Sequence, residues 1–192
     1  MNIARLKIAG AFIVTLSLSG MLAQAAPMDA MVKEVTGSAQ CAVPGSTDFK
    51  ALTPGMTLPS GSIVKTGPDG IVIFVPVRGT AMRIAQNSQI TISNMDFAQD
   101  GGKVTSRKAD IELTSGTVSA LLDEKISPDV TDFKIHTPQG VAAARGTFYA
   151  VCVHDNKSYV KVKAGKVGVQ SKITPGTNGQ ASYAPTSVTP SS

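Results

Sequence analysis

From about residue 30 to residue 172 the chain runs in short apolar-polar alternations, broken every several residues by glycine, proline or asparagine. A two-residue period sends successive side chains to opposite faces of a strand, so the pattern predicts strands half-buried against a core. In "DFKIHT", Phe133 and Ile135 alternate with Lys134 and His136. "TFYAVCVHD" is apolar on both faces and reads as a central strand. "SGSIVKTGPDGIVIFV" predicts two strands around Pro68-Asp69-Gly70, and "TAMRIAQNSQITI" two more around Asn87 and Ser88. "ADIELTSGTVSALL" is expected to turn at Ser115-Gly116. "YVKVKAGKVGV" reads as a hairpin closed by Ala164-Gly165, with Val160 and Val162 inside and Lys161 and Lys163 outside. Two echoes run through the set: a small-Gly-x-aliphatic unit at Gly61, Gly116 and Gly165, and "VRGTAM" at 77–82 against "ARGTFY" at 144–149.

Helical signal is thin. "APMDAMVKEV" has room for a turn or two, and "SALLDEKISPDV" for a short helix before Pro128. "NMDFAQDGGKVTSRK" reads as a long exposed loop with Asp100-Gly101-Gly102 at its tip. Residues 173–192 are rich in Pro, Ser, Thr and Gly and are expected to be a disordered tail. The expectation is one all-β domain over residues 30–172, either a short-strand sandwich or a solenoid-like stack of hairpins. With no tryptophan and few aromatics, aliphatic side chains must fill its core.

The N-terminus changes the picture of where this domain works. Arg5 and Lys7 precede an uncharged apolar run, and Ala23 and Ala25 then form a small-x-small site. That is the layout of a signal peptide over residues 1–25, and the run is short for a spanning helix. Export to the periplasm is expected, or to the extracellular space if the cell has one membrane, with no integral membrane segment left after cleavage. The mature chain keeps 16 basic against 13 acidic residues, a weak excess. Export and weak charge argue against nucleic acid as a partner. Lys157, Lys161, Lys163, Lys166 and Lys172 cluster, either as the solvated face of a strand or as a patch for anionic glycans or headgroups. Cys41 and Cys152 are a possible disulfide in an oxidising compartment, or two separate thiols.

The order of the blocks "GMTLPSGSIVKTGPDGIVIFV", "ADIELTSGTVSALL", "FKIHTPQGVAAARGTFYAVCV" and "VKVKAGKVGV" resembles the FecR-like domain, from about Gly37 to Val169. The third block, with its Thr-Pro and Arg-Gly-Thr-aromatic, is the most specific. The chain departs from the family at "VPVRGT", where an acidic residue and a glycine are usual. The family is best known for inner-membrane regulators of iron uptake, which this chain resembles in their periplasmic part alone. The resemblance implies the domain and not the full activity of those regulators.

"TPQGVAAARGTFYAV" poses the sharpest question about a site, because a buried strand should not carry Arg145. Pro138 ends one strand, and Gly146 permits a kink with positive φ. Arg145 then either staples a strand corner through its planar fork or stands exposed for a partner or anion. The candidate binding residues are Arg145, Gly146, Thr147, Lys161 and Lys163. No catalytic constellation stands out. His136, Cys152, His154 and Asp155 fall short of a zinc ligand set by spacing. No cofactor is expected. Envelope protein contact is the first functional reading, polysaccharide or peptidoglycan binding the second, and a hydrolase the last.

Overall fold

The computed structural model describes residues 26–27, 29–123, 125–126, 128–172 and 183–190. The expected signal peptide, residues 1–25, lies outside them. No helix among the described residues is long and apolar enough to cross a membrane. The regular structure among the described residues is nearly all strand: β1 (Ala26–Pro27), β2 (Ala30–Thr36), β3 (Ala39–Ala42), β4 (Lys50–Ala51), β5 (Thr57–Leu58), β6 (Ile63–Thr66), β7 (Ile71–Val75) and β8 (Thr80–Ile84). Then come β9 (Gln89–Asp100), β10 (Lys103–Leu122), β11 (Thr131–Thr137), β12 (Gly140–Ala144), β13 (Phe148–His154), β14 (Lys157–Ala164), β15 (Val167–Lys172) and β16 (Tyr183–Val188).

These strands form one continuous ladder that divides into two sheets. The first runs β4-β3-β6-β9-β10-β11-β12-β15-β16, with β1 on β9 beyond β6. The second runs β5-β2-β7-β8-β10-β13-β14. β10 belongs to both. Lys103–Ser115 pair with β9, and Arg107–Glu112 also pair with β11. From Gly116 onward the same strand pairs with β13 and β8. One hydrophobic core takes side chains from both sheets, including Ile90, Ile111, Leu113, Phe133 and Ile135 of the first and Phe74, Met82, Ile84, Val118 and Val151 of the second. Each such side chain contributes about 1.5–3 kcal/mol by leaving water.

The expected turns exist, but most of them carry the chain from one sheet to the other. β6 and β7 flank Pro68-Asp69-Gly70 yet never pair: β6 bonds β3 and β9, while β7 bonds β2 and β8. The expected hairpin at Ala164-Gly165 is likewise a corner, because β14 pairs with β13 and β15 with β12. Period-two alternation says which face is buried, not which strand lies alongside, so hairpin and corner read alike in sequence. At Ser115-Gly116 the strand bends without stopping. Gly116 has φ of 87°, and a Cβ there would come within 2.5 Å of Ser88 Cα.

Three further expectations are corrected and one is narrowed. The segment 94–108 is not a loop but the paired arms of the β9–β10 hairpin. Its turn, Gly101-Gly102, has φ of 52° and 81°, both positive as a two-residue primed turn needs. Bulges between Val104 and Ser106 and between Asp110 and Ile111 interrupt the alternation that would have shown it. In the N-terminal "APMDAMVKEV", Ala26–Pro27 and the residues from Ala30 onward are strand, with Ala30 and Val32 buried in β2. "SALLDEKISPDV" ends β10 and continues to a single 3-10 turn at Pro128–Val130. Of the expected tail, Tyr183–Val188 pairs with β15 as an edge strand, while residues 173–182 and 191–192 lie outside the described residues.

The corners stack against one another at one rim. Gly67 N donates to Ser38 O (2.9 Å), Asn87 N to Gly67 O (3.0 Å), and Thr66 N to Ser88 O (2.9 Å). Ser88 Oγ then accepts from Thr117 N (3.0 Å). Asp69 accepts from Ser38 Oγ (2.8 Å) and Ser38 N (3.2 Å). Those hydrogen bonds hold its carboxyl below the ordinary value.

Gly116→Ala is expected to cost about 2 kcal/mol or more, since both its backbone dihedral and its contact with Ser88 forbid a Cβ; urea unfolding measures it. A carboxyl with a lowered folded pKa stabilises above its unfolded pKa, and that contribution is lost as pH falls through the folded one. Asp69→Asn should therefore flatten the fall of melting temperature between about pH 5 and pH 2.

Candidate functional site

The outer face of the first sheet carries a groove of about 1060 Å³ across β10, β11, β12 and β15. Small residues make its floor. Ala143 of β12 sits opposite Gly168 of β15 on one side and Lys134 of β11 on the other. Lys108, Asp132, Lys134, Arg145 and Lys166 stand around it. Lys134 Nζ lies 2.7 Å from Asp132 Oδ2. That hydrogen bond raises the ammonium's pKa, while burial and the Arg145 charge oppose the rise. Along the same face His136 Nε2 lies 3.0 Å from Asp110 Oδ1.

The "ARGT" corner forms one end of this groove. Arg145 is exposed, and among the described residues it makes no hydrogen bond or ion pair. Gly146 has φ of 80° and carries the chain from β12 in the first sheet to β13 in the second. Thr147 is buried. Its hydroxyl donates to Lys166 O (3.1 Å) and its carbonyl accepts from Leu122 N (3.1 Å). Gly146 and Thr147 therefore shape the corner, and Arg145 is the member of the motif free to contact something else.

The stapling role expected of one arginine falls to another. Arg107 has no solvent exposure. Its Nη1 donates to Gly79 O (2.7 Å), and its Nε and Nη2 donate to Thr131 Oγ1 (3.2 and 2.8 Å). Nη2 also points to Asp123 O at 3.4 Å. Burial lowers the guanidinium's pKa and the Asp123 charge opposes that. The signal for Arg107 was present: it continues the inward series Leu113, Ile111, Ala109 at two-residue spacing. A charge at an apolar position in an alternating strand marks a buried, hydrogen-bonded group.

Lys161 and Lys163 are not brought to this groove. They are exposed on β14 of the second sheet, where they flank a separate depression with Phe148. Lys163 Nζ lies 5.2 Å from the Phe148 ring centroid. The "VRGT" echo does share the corner's local form: Gly79 has φ of 75°, Thr80 is buried and its hydroxyl donates to Val77 O (2.6 Å). It closes the β7–β8 hairpin within one sheet, however.

Cys41 and Cys152 are free thiols, and the considered bridge does not form. Cys41 points into the core from β3, where burial raises its pKa. Cys152 holds an outward position on β13 between the buried Val151 and Val153. His154 and Asp155 pair with each other in solvent at 3.2 Å. Among the described residues no three His, Cys, Asp or Glu side chains gather as metal ligands.

A family model described as FecR protein matches residues 62–168, a span that includes β6 to β14 and all the charged residues named around the groove. No curated protein matches the chain.

The two arginines separate structure from contact. Arg107→Ala is expected to cost about 3–5 kcal/mol, because it removes a fully buried side chain with its hydrogen bonds to Gly79, Asp123 and Thr131 and opens a cavity. Arg145→Ala is expected to stay within about 0.5 kcal/mol of wild type. Urea unfolding of the two variants side by side checks both.

Proposed function

The chain belongs to the FecR family, and from that premise and the groove we propose that it is a non-enzymatic module of the cell envelope acting by contact with another protein. The observation that carries this reading is Arg145. It stands exposed at the end of a broad groove with Lys108, Lys134 and Lys166 nearby, while the structural work of an arginine is done by Arg107. A large, open, mostly basic concavity without a nucleophile-base pair suits recognition of an acidic surface better than chemistry. The signal peptide reading of residues 1–25 supports export, with the periplasm as the working compartment.

A second reading, binding of polysaccharide or peptidoglycan, draws on the other sheet. Tyr159 is 56% exposed on β14, beside Lys161 and near the Lys163–Phe148 pair. An aromatic face with adjacent cations can hold an anionic sugar chain.

The test is a pull-down from envelope extract with residues 26–192, comparing wild type and folded Arg145→Ala. A specific protein captured by wild type and lost, or weakened about tenfold, in the variant supports the first reading. Retention on cell-wall sacculi, abolished by Tyr159→Ala and indifferent to Arg145→Ala, would replace it with the second.

A further inference from the structure

The lateral edges of the two sheets are protected in different ways. β14 is the last strand of the second sheet among the described residues and carries Lys157, Lys161 and Lys163, all exposed. Charged side chains, lysine above all, deter a second strand from pairing with an open edge. β15 has no charge from Val167 to Ser171. Its edge is covered instead by β16, in register from Val167↔Val188 to Lys172↔Tyr183.

The cover is light. Val188 packs partly against the core. Thr186, opposite Val169, is exposed and polar. Pro185 has no backbone N–H to offer a ladder. Ten residues, 173–182, connect Lys172 to Tyr183, which face each other in the ladder. Ten residues can span up to about 33 Å, so β16 can leave β15 while remaining tethered nearby.

We propose that the β15 edge is a strand-docking site, that β16 is its resident occupant, and that an extended acidic segment of a partner protein displaces it. This rests on the protein-contact reading above and names the partner's chemistry. Val188, opposite Val167, packs partly against the core, and Val169 is itself partly buried there although Thr186 opposite it is exposed, so the incoming strand carries an apolar side chain opposite Val167 and is favoured by a second opposite Val169. The residue between them stands where Ser187 does, opposite Gly168. From there one row crosses the sheet through Gly168 and Ala143 to Lys134. Neither intervening residue has a long side chain, so an acid at that position looks across open floor to the cations of the groove. Backbone pairing supplies the affinity and the alternate side chains the selectivity, as in other strand additions.

The test uses the full mature chain and a fluorescent peptide of residues 183–190 carrying Thr186→Val and Ser187→Glu. Val188→Asp in the protein weakens the resident strand and should raise peptide affinity at least about tenfold over wild type. Thr186→Val in the protein strengthens the resident strand without threatening the fold, and should lower peptide affinity below wild type. Arg145→Ala in the Val188→Asp background should weaken binding and reduce its fall between about 0.05 M and 0.5 M salt. Equal affinity across wild type, Val188→Asp and Thr186→Val, or binding to none of them, overturns the proposal. So does a wild-type dimer that exchanges β16 between copies, which would make a second copy the occupant. The pull-down separates the two ideas: Arg145-dependent capture with no peptide binding removes the docking strand and leaves the contact reading standing.

Discussion

Every other feature of this fold depends on β10 being hydrogen-bonded on both edges in two different sheets. Its first part lies between β9 and β11, its last part between β8 and β13. Neither sheet can close its ladder without it, and the bend at Gly116 that allows the transfer tolerates no side chain. The core is correspondingly single: apolar residues of both sheets meet in one cluster. Loss of β10 from either sheet would expose the buried face of the other, so the two cannot unfold as independent units.

Around that strand, the places where the chain changes sheet hold each other through backbone and hydroxyl groups rather than by side-chain packing. One rim runs through Ser38, Gly67, Asn87, Ser88 and Thr117. At Gly79, Asp123 and Thr131, Arg107 ties three separate segments together through one guanidinium. Thr147 links the next two corners, to Leu122 and Lys166. The "ARGT" motif therefore joins two roles in adjacent residues: Gly146 and Thr147 complete the rim, and Arg145 is turned outward over the groove.

Much of this was legible in the sequence. Alternation located the strands β6 to β8, β11 and β13 to β15, their inward residues and the breaks between them, and the block order identified the family. Gly146 was correctly read as a kink with positive φ. Pairing partners were not legible, because a turn that folds a strand back and one that sends it to a second sheet use the same glycines. Hence Ala164-Gly165 read as a hairpin. Bulges concealed the β9–β10 arms, whose polar outward residues then resembled a loop. Arg107 was missed because the series Leu113, Ile111, Ala109 was not extended one step further, while Arg145, sitting among alanines, drew the attention. The groove was invisible for a different reason: its members come from four strands, and Lys108 and Lys166 face one concavity across β11 and β12 through registers that no local pattern encodes.

The pairing of β10 with β11 is parallel, the one such pairing among the described residues, and it joins Arg107 to Thr131 across 24 positions of chain. A parallel pair cannot be started by a tight turn, so the cost of closing that loop falls before any bond repays it. Antiparallel neighbours such as β9 and β10 can zip from Gly101-Gly102 in microseconds. Arg107 consequently spends the early part of folding hydrated, and gives up its water when β11 arrives with Thr131. Completion of this rim is therefore expected to come later in folding than the β9–β10 hairpin. It also gives a chain whose core is almost wholly aliphatic a charged checkpoint: arrangements that collapse greasily but place β11 elsewhere leave a guanidinium buried without acceptors, and are discarded.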